Sequence, residues 1–514
     1  MLWEIVEAKN CVFVMQISIC YIFVSAKRNP ERDKIMIELR IAQGKNEIHT
    51  ALLLITNKNK PDFSNFGFSK SEVQVAEKLQ EAKKPIISFY GEKQNRYIQF
   101  AEDKGQKYLL LEAARKAGAT LSNELKSLKY TEIQLQTDSE DAEIVLAYAE
   151  GLILAYYNFD KYKKDAKETA LKTIHISHIG IDEKMLSEGQ NVIDGTIIAR
   201  DLVNAPFSHL NAEDLGEAVR EVGKNAGFKT EVLNQTQLET LRFGGLLSVN
   251  AGSIDPATFS IMEYKPKGAV NKQPIMLVGK GVVYDTGGLT IKPTPGSMDS
   301  MKCDMAGGAA VIGAMHAIAK SNLPVYVVGL IPATDNRPGE RAVAPGDVIT
   351  MFDGTTVEVL NADAEGRLIL GDALAYAKKY NPMLAIDLAT LTGAAARAIG
   401  QQGIVYMGTA SEEIKNNLEE SGRQTYERLV EFPMWDEYGE MIKSDIADLK
   451  NVASGQSSGA ITAGKFLEHF TDYPWLHLDI AGPAFITGQD SYRSKNATGV
   501  GVRLLFHYIK NFCS

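Results

Sequence analysis

Apolar and polar residues alternate over Ile37-Glu38-Leu39-Arg40-Ile41, the period-two signature of a strand with one buried face. Residues 52–55 and 85–89 predict two further strands, and residues 70–84 and 141–157 repeat at the spacing of amphipathic helices. Short strands alternating with longer helices predict an α/β domain over residues 36–168. It contains no Gly-x-Gly-x-x-Gly and no cluster of His or Cys, so no chemistry is assigned to it. A dense charge run at 160–168 marks its edge, as a solvated face does. Residues 169–203 then form a connecting segment, with a linker helix over about 189–203. From residue 204 to 514 the pattern changes. Strand-like runs at 275–278, 325–331, 384–388 and 476–480 are separated by helical ones, and glycine clusters follow several of them directly. The ligand site of an open α/β sheet lies outside the carboxyl ends of its strands, so these glycine-rich ends are where chemistry is expected.

Composition narrows the classes. Of the 514 residues, 45% are hydrophobic and 23% charged, which excludes disorder as the main state. Lys plus Arg is 55 and Asp plus Glu is 64, so the net charge of −9 gives no global pull toward nucleic acid or anionic membrane. Cys11, Cys20, Cys303 and Cys513 are too scattered for a disulfide framework or a cysteine zinc site, and a reducing compartment is expected. Residues 11–26 carry no charge but fall short of the roughly 20 apolar residues of a membrane span. A signal peptide is disfavoured because Glu4 and Glu7 stand where a basic region belongs. Residues 1–35 are therefore either an upstream extension preceding a start at Met36, or an ordinary buried segment.

Charged residues sit at three strand ends. In the segment 278–293, Lys280, Asp285 and Lys292 are embedded among apolar and small neighbours, where unpaired charge is costly. A Lys280–Asp285 ion pair is the structural explanation, and a phosphate loop lacks its Gly-x-x-x-x-Gly-Lys pattern. Asp304 precedes an Ala/Gly-rich helix and on its own reads as an N-cap. Asp363 and Glu365 open a helix running to about Tyr380, after a hairpin turning at Asp353-Gly354. Two residues apart on an extended loop, they point the same way. Asp285, Asp304, Asp363 and Glu365 together have the composition of a two-metal hydrolase site. Oxygen ligands alone favour Mg²⁺ or Mn²⁺.

One competing motif is present. Gly455-Gln456-Ser457-Ser458-Gly459 matches the nucleophile elbow Gly-x-Ser-x-Gly, with Asp472 or Asp479 and His477 or His507 following in order. The preceding residues, 444–451, are too polar for the buried strand an elbow needs, so an exposed glycine/serine loop is expected.

The three charged segments resemble the leucyl aminopeptidase (cytosol aminopeptidase) family of binuclear metallopeptidases. Residues 361–368, Asn-Ala-Asp-Ala-Glu-Gly-Arg-Leu, differ from the family's hallmark only by Ala362 in place of threonine. The match runs from about residue 200 to the carboxyl terminus and includes Leu202-x-Asn204-x-Pro206 and Leu478-Asp479-Ile480-Ala481-Gly482. The resemblance implies a two-domain α/β fold, with a smaller amino-terminal domain and a larger catalytic domain whose mixed central sheet is flanked by helices. It implies two divalent metal ions, Zn²⁺ or Mn²⁺, the nitrogen of Lys280 now joining the oxygens. Asp285 and Glu365 would touch both metals, Lys280 and Asp304 complete the tighter site, and Asp363 the more exchangeable one. Lys292 would stabilise the oxyanion formed by attack of a metal-bridging hydroxide, and Arg367 would hold a bicarbonate ion. Met301, Thr390, Gly393, Ala481 and Ala484 would line an apolar pocket for the first side chain. The expected partners are peptides with a free amino terminus, and the expected assembly is a cytoplasmic homohexamer. A serine hydrolase using Ser457 and a non-enzymatic nucleic-acid-binding protein on the same fold are the competing readings.

Overall fold

The first sheet follows from the alternation seen at the start of the chain. The computed structural model describes residues 36–42, 51–58, 61, 63–166, 169–453, 455 and 457–513. The expectations for residues 1–35 lie outside these. Six strands make the first sheet among the described residues: β1 (Glu38–Ile41), β2 (Ala51–Thr56), β3 (Ile87–Phe89), β4 (Asn95–Phe100), β5 (Glu132–Thr137) and β6 (Thr173–Ser177). Their order is β1-β6-β5-β2-β4-β3, and every pair is parallel except β3 with β4. Central β2 is buried along its whole length, as an unbroken apolar run requires. Helix Lys70–Glu81 begins with a capping box, Ser69 bonding the Glu72 N–H and Glu72 reaching back.

The linker helix is longer than its apolar pattern suggests, Glu183–Asn204, because Asp182 caps it by accepting from the Met185 N–H. Its Ile193 and Ile197 pack in the core of the first sheet, and its Ala199 and Val203 pack in that of the second. The helix is thus buried at both ends by different domains.

The second sheet carries β7 (Lys229–Leu233), β8 (Thr258–Tyr264), β9 (Ile275–Gly279), β10 (Gly281–Asp285) and β11 (Val327–Asn336). After the hairpin β12 (Asp347–Thr350) and β13 (Thr356–Val359) come β14 (Leu384–Ala389), β15 (Ile404–Gly408), β16 (Leu429–Glu431), β17 (Leu449–Lys450) and β18 (Trp475–Asp479). The order is β16-β15-β18-β14-β9-β11-β8-β7, with β10 also on β11, while β12, β13 and β17 form a small sheet apart. β18, β14, β9 and β11 run parallel, and β8, β7 and β15 join antiparallel, so the sheet is mixed as expected. Leu277 and Ile386 face the helix Ala306–Lys320, and Met276, Val278 and Ala385 face the helix Gly366–Ala377. No helix among the described residues is long and apolar enough to cross a membrane.

Two close approaches prepare the site. A Cβ on Gly307 would stand 1.9 Å from the Leu388 carbonyl oxygen, and one on Gly279 would stand 2.6 Å from the Gly307 carbonyl. Only glycine lets the helix Ala306–Lys320 start this close to the sheet.

Candidate metal centre

β9 and β10 are one strand interrupted by Lys280. β11 pairs with β9 through Val327–Leu330 and with β10 through Ala333–Asn336. The Lys280 backbone is held at the break, its N–H donating to Leu388 O at 3.0 Å and its carbonyl accepting from Gly308 at 2.8 Å. The side chain is thereby directed into the interior.

Its Nζ lies 2.8 Å from Asp304 Oδ2 and 2.8 Å from Glu365 Oε1, and donates to Thr390 O at 3.1 Å. Lys292 Nζ lies 2.8 Å from Asp285 Oδ2 and also pairs with Asp363 Oδ1. The structural explanation of a Lys280–Asp285 pair therefore gives way to a crossed arrangement, two lysines against four carboxylates. Asp285, Asp363 and Glu365 each offer an oxygen within 4.8 Å of the others. Lys280, Asp285, Asp304 and Glu365 are 2%, 2%, 4% and 3% exposed.

The N-cap explanation of Asp304 does not hold. The N-cap position of the helix is Met305. Asp304 instead accepts from Lys280 and, at 2.8 Å, from the Thr390 hydroxyl. Glu365 occupies the N-cap position of helix Gly366–Ala377 in helical conformation without making a capping hydrogen bond. The backbone there is not extended, yet Asp363 and Glu365 converge.

The electrostatics are those of a cluster short of positive charge. Burial pushes Asp285 up to about 6, with Glu365 adding to it and both lysines opposing. Burial likewise raises Asp304 and Asp363. For Glu365 burial works upward too, but Lys280 and Lys292 outweigh it and hold the carboxyl low. Burial favours neutral Lys280, but Asp304, Glu365 and Asp285 win and raise its pKa. Lys292 is raised in the same way, chiefly by Asp285 and Glu365. Among the described residues, buried Glu365 Oε2 has no hydrogen-bond partner. Asp304 Oδ2 and Asp363 Oδ1 touch a lysine without completing a hydrogen bond. Converging carboxylate oxygens with unfilled acceptor capacity, beside an amine, fit a pair of divalent cations.

Arg367 stands in the first turn of the next helix, and its Nη1 donates to Asn451 O at 2.7 Å. Burial pushes its pKa down to about 10, against Glu365 and Asp479. Its buried Nε has no hydrogen-bond partner among the described residues.

Residues 197–506 match the cytosol aminopeptidase family, catalytic domain, and residues 103–166 match the family's N-terminal domain. A probable cytosol aminopeptidase of Chlorobaculum tepidum is 47% identical over 393 residues, 73% of this chain and 77% of that one. The chain belongs to the cytosol aminopeptidase family. Another probable cytosol aminopeptidase, of Clostridium perfringens, is 40% identical over 78% of this chain and 84% of its own. Among solved structures, a mutant of tomato leucine aminopeptidase superposes with TM-score 0.81 at 26% identity, covering 93% of this chain and 97% of that one. The bottromycin maturation enzyme BotP in complex with Mn superposes with TM-score 0.79 at 26% identity, over 91% of this chain and 100% of that one.

Against the family's other motif positions the structure places Met301 in a short 3-10 helix before Asp304, and Gly393 at the start of helix Gly393–Ile399. Thr390 touches both Lys280 and Asp304. Ala481 donates its N–H to Asp479 Oδ1 at 3.1 Å, whereas Ala484 is buried in the core. Among the described residues the elbow motif has no supporting geometry. Ser457 is exposed before helix Gly459–Glu468, and the strand upstream, β17, has only two residues. His477 is fully buried, with Nδ1 2.6 Å from Asp387 Oδ1. Two asparagines hold the site without belonging to any of its sequence motifs. Asn336 reaches Asp285, and Asn451 bonds the backbone of Leu360 and Asn361. The only sequence signal was polar Thr334-Asp335-Asn336 closing an apolar strand.

Proposed function

We propose that this cluster is a two-metal centre that releases amino-terminal residues, leucine and other apolar ones preferred, from peptides. The chain is a metal-binding aminopeptidase by its family. The observation that carries the finer reading is the convergence of Asp285, Asp304, Asp363 and Glu365 on Lys280 and Lys292 in a buried site. Asp285 and Glu365 would be shared, Lys280 and Asp304 would belong to one cation, and Asp363 to the other. Two divalent cations, Zn²⁺ or Mn²⁺, supply Lewis acidity and a water of lowered pKa when bound. Lys280 must give up its proton to act as a ligand, since an ammonium has no lone pair. Lys292, less buried and on a loop, would stabilise negative charge forming on the substrate's carbonyl oxygen. Asp304 would accept from the substrate's free amine, which restricts cleavage to the amino terminus. Arg367, with Nε unspent, would hold a bicarbonate ion, and Met301, Thr390, Gly393 and Ala481 would line the side-chain pocket, with Ala484 packed behind it in the core. We place the enzyme in the cytoplasm as a homohexamer.

The test is metal analysis of the purified protein beside a panel of aminoacyl amides. Two cations per chain are expected. Phenanthroline should abolish hydrolysis, and Zn²⁺ or Mn²⁺ should restore it. A metal-free protein with full activity, blocked instead by a serine-directed phosphonate, would falsify this reading.

A further inference from the structure

A neutral amide stands beside the carboxylates. Asn336 ends β11, is 3% exposed, and is the register partner of Asp285. Its Nδ2 donates to Asp285 Oδ1 at 2.8 Å and to the Ala362 carbonyl at 3.0 Å. An amide nitrogen carries two hydrogens, so both are spent. The backbone bearing it is pinned as well, because the Asn336 carbonyl accepts from the Thr286 N–H at 2.9 Å and the Thr286 hydroxyl at 2.8 Å.

Both contacts bear on ligands. Asp285 Oδ1 also accepts the Gly287 N–H at 2.8 Å. Two N–H donors occupy Oδ1, which leaves Oδ2, the oxygen touched by Lys292, for a cation. On the other side, the peptide joining Ala362 to Asp363 is gripped at both edges. Asn336 takes its carbonyl, and Asn361 Oδ1 accepts its N–H at 2.8 Å. One side chain therefore ties the strand bearing Asp285 to the loop bearing Asp363. It does so without adding charge to a cluster that already holds four carboxylates.

We propose that Asn336 is a positioning residue for the metal centre. It selects the Asp285 oxygen offered to metal and sets the Ala362–Asp363 peptide, and so tunes the cation that Asp285 and Asp363 share. This rests on the two-metal reading above. The alternative is that Asn336 merely fills the end of the sheet.

The experiment titrates Mn²⁺ into full-length, metal-stripped protein. Asn336→Leu removes both donors, and Asn336→Asp keeps the shape but replaces the donor by an acceptor. The Mn²⁺ site that Asp363 completes should weaken about 10–100-fold in each variant, the range for partners that orient a ligand, and the other site, reached only through the shared Asp285, should weaken less. Metal-free melting is followed alongside. Wild-type affinity at both sites overturns the proposal, and so does equal weakening of both, which marks a general loosening. If neither variant folds without metal, Asn336 is a structural clamp and the proposal falls. Asp285→Asn is the control. If it keeps both affinities, the two-metal reading fails. If it loses metal while Asn336→Leu does not, only the role of Asn336 fails.

Discussion

Lys292 and Lys280 are the same residue type about one loop apart, and their surroundings give them different tasks. Lys280 is 2% exposed and wrapped by Asp304, Glu365 and the Thr390 carbonyl. The Lys292 side chain keeps 14% of its surface and touches Asp285 and Asp363 from the open side. A ligand role suits the first and an electrostatic role the second. Lys292→Ala should therefore retain two cations per chain and lose about 10²–10³ in kcat, the scale of one oxyanion donor. Metal content and single-turnover rate check this together, and a metal-free Lys292→Ala protein would show that the roles are misassigned.

At the scale of elements, the site depends on how closely one helix meets the sheet. Gly307→Ala puts a Cβ 1.9 Å from the Leu388 carbonyl, and both groups belong to backbone that cannot step aside cheaply. The helix Ala306–Lys320 must retreat, at about 1–3 kcal/mol for an overpacked contact. Lys280 and Asp304 flank that contact, so metal affinity should fall with stability. Denaturant unfolding and metal titration of the variant are the measurements, and unchanged values in both would refute the packing argument. The linker helix supplies a pH-dependent term. Burial pushes Asp194 up to about 6, while the Gln190 amide donates to it at 2.7 Å. Gln190 Oε1 in turn accepts from the Leu39 N–H in β1 at 2.9 Å. A carboxyl raised on folding contributes its full stability below the unfolded pKa of about 3.9, and that contribution is lost as pH rises through about 6. Asp194→Asn should match the wild type near pH 4 and exceed it by up to about 2–3 kcal/mol above pH 7. Unfolding free energies across that range decide the matter, and equal curves would show that Asp194 titrates normally.

Across the whole molecule, the two sheets are joined by a buried charged network as well as by the linker helix. Arg503 donates to Glu427 Oε1 at 3.2 Å and to Glu150 Oε1 at 3.0 Å, and Arg115 donates to Glu150 Oε2 at 2.8 Å. Tyr492, from the catalytic half, donates to Glu112 in helix Lys107–Leu128 at 2.8 Å. Arg503→Ala would leave Glu427 with only the Gly501 and Leu504 N–H groups and Glu150 with Arg115 in the interior, a loss of up to about 3–5 kcal/mol for one partner of a buried pair. Denaturant unfolding should show this loss as one cooperative step, because Glu150 and Glu427 sit on opposite sides of the junction. A drop within 1 kcal/mol would mean that water reaches the network.

The strands at 275–278, 384–388 and 476–480, the hairpin at Asp353-Gly354 and the charged residues that the structure gathers into one cluster were all legible in the sequence. These follow from local period, turn chemistry and the cost of burying charge, which a single segment reveals. Membership in the family was legible too, since it rests on the spacing of Lys280 through Arg367 along the chain. The pairing of the charges was not. Lys280 with Asp304 and Glu365, and Lys292 with Asp285 and Asp363, became visible only when β9, β10 and the helices on either face brought together segments far apart in sequence. The roles of Asn336 and Asn451 were hidden for the same reason. A polar residue closing a strand looks alike whether it meets water or a ligand's carboxylate, and only the register of β10 on β11 decides which.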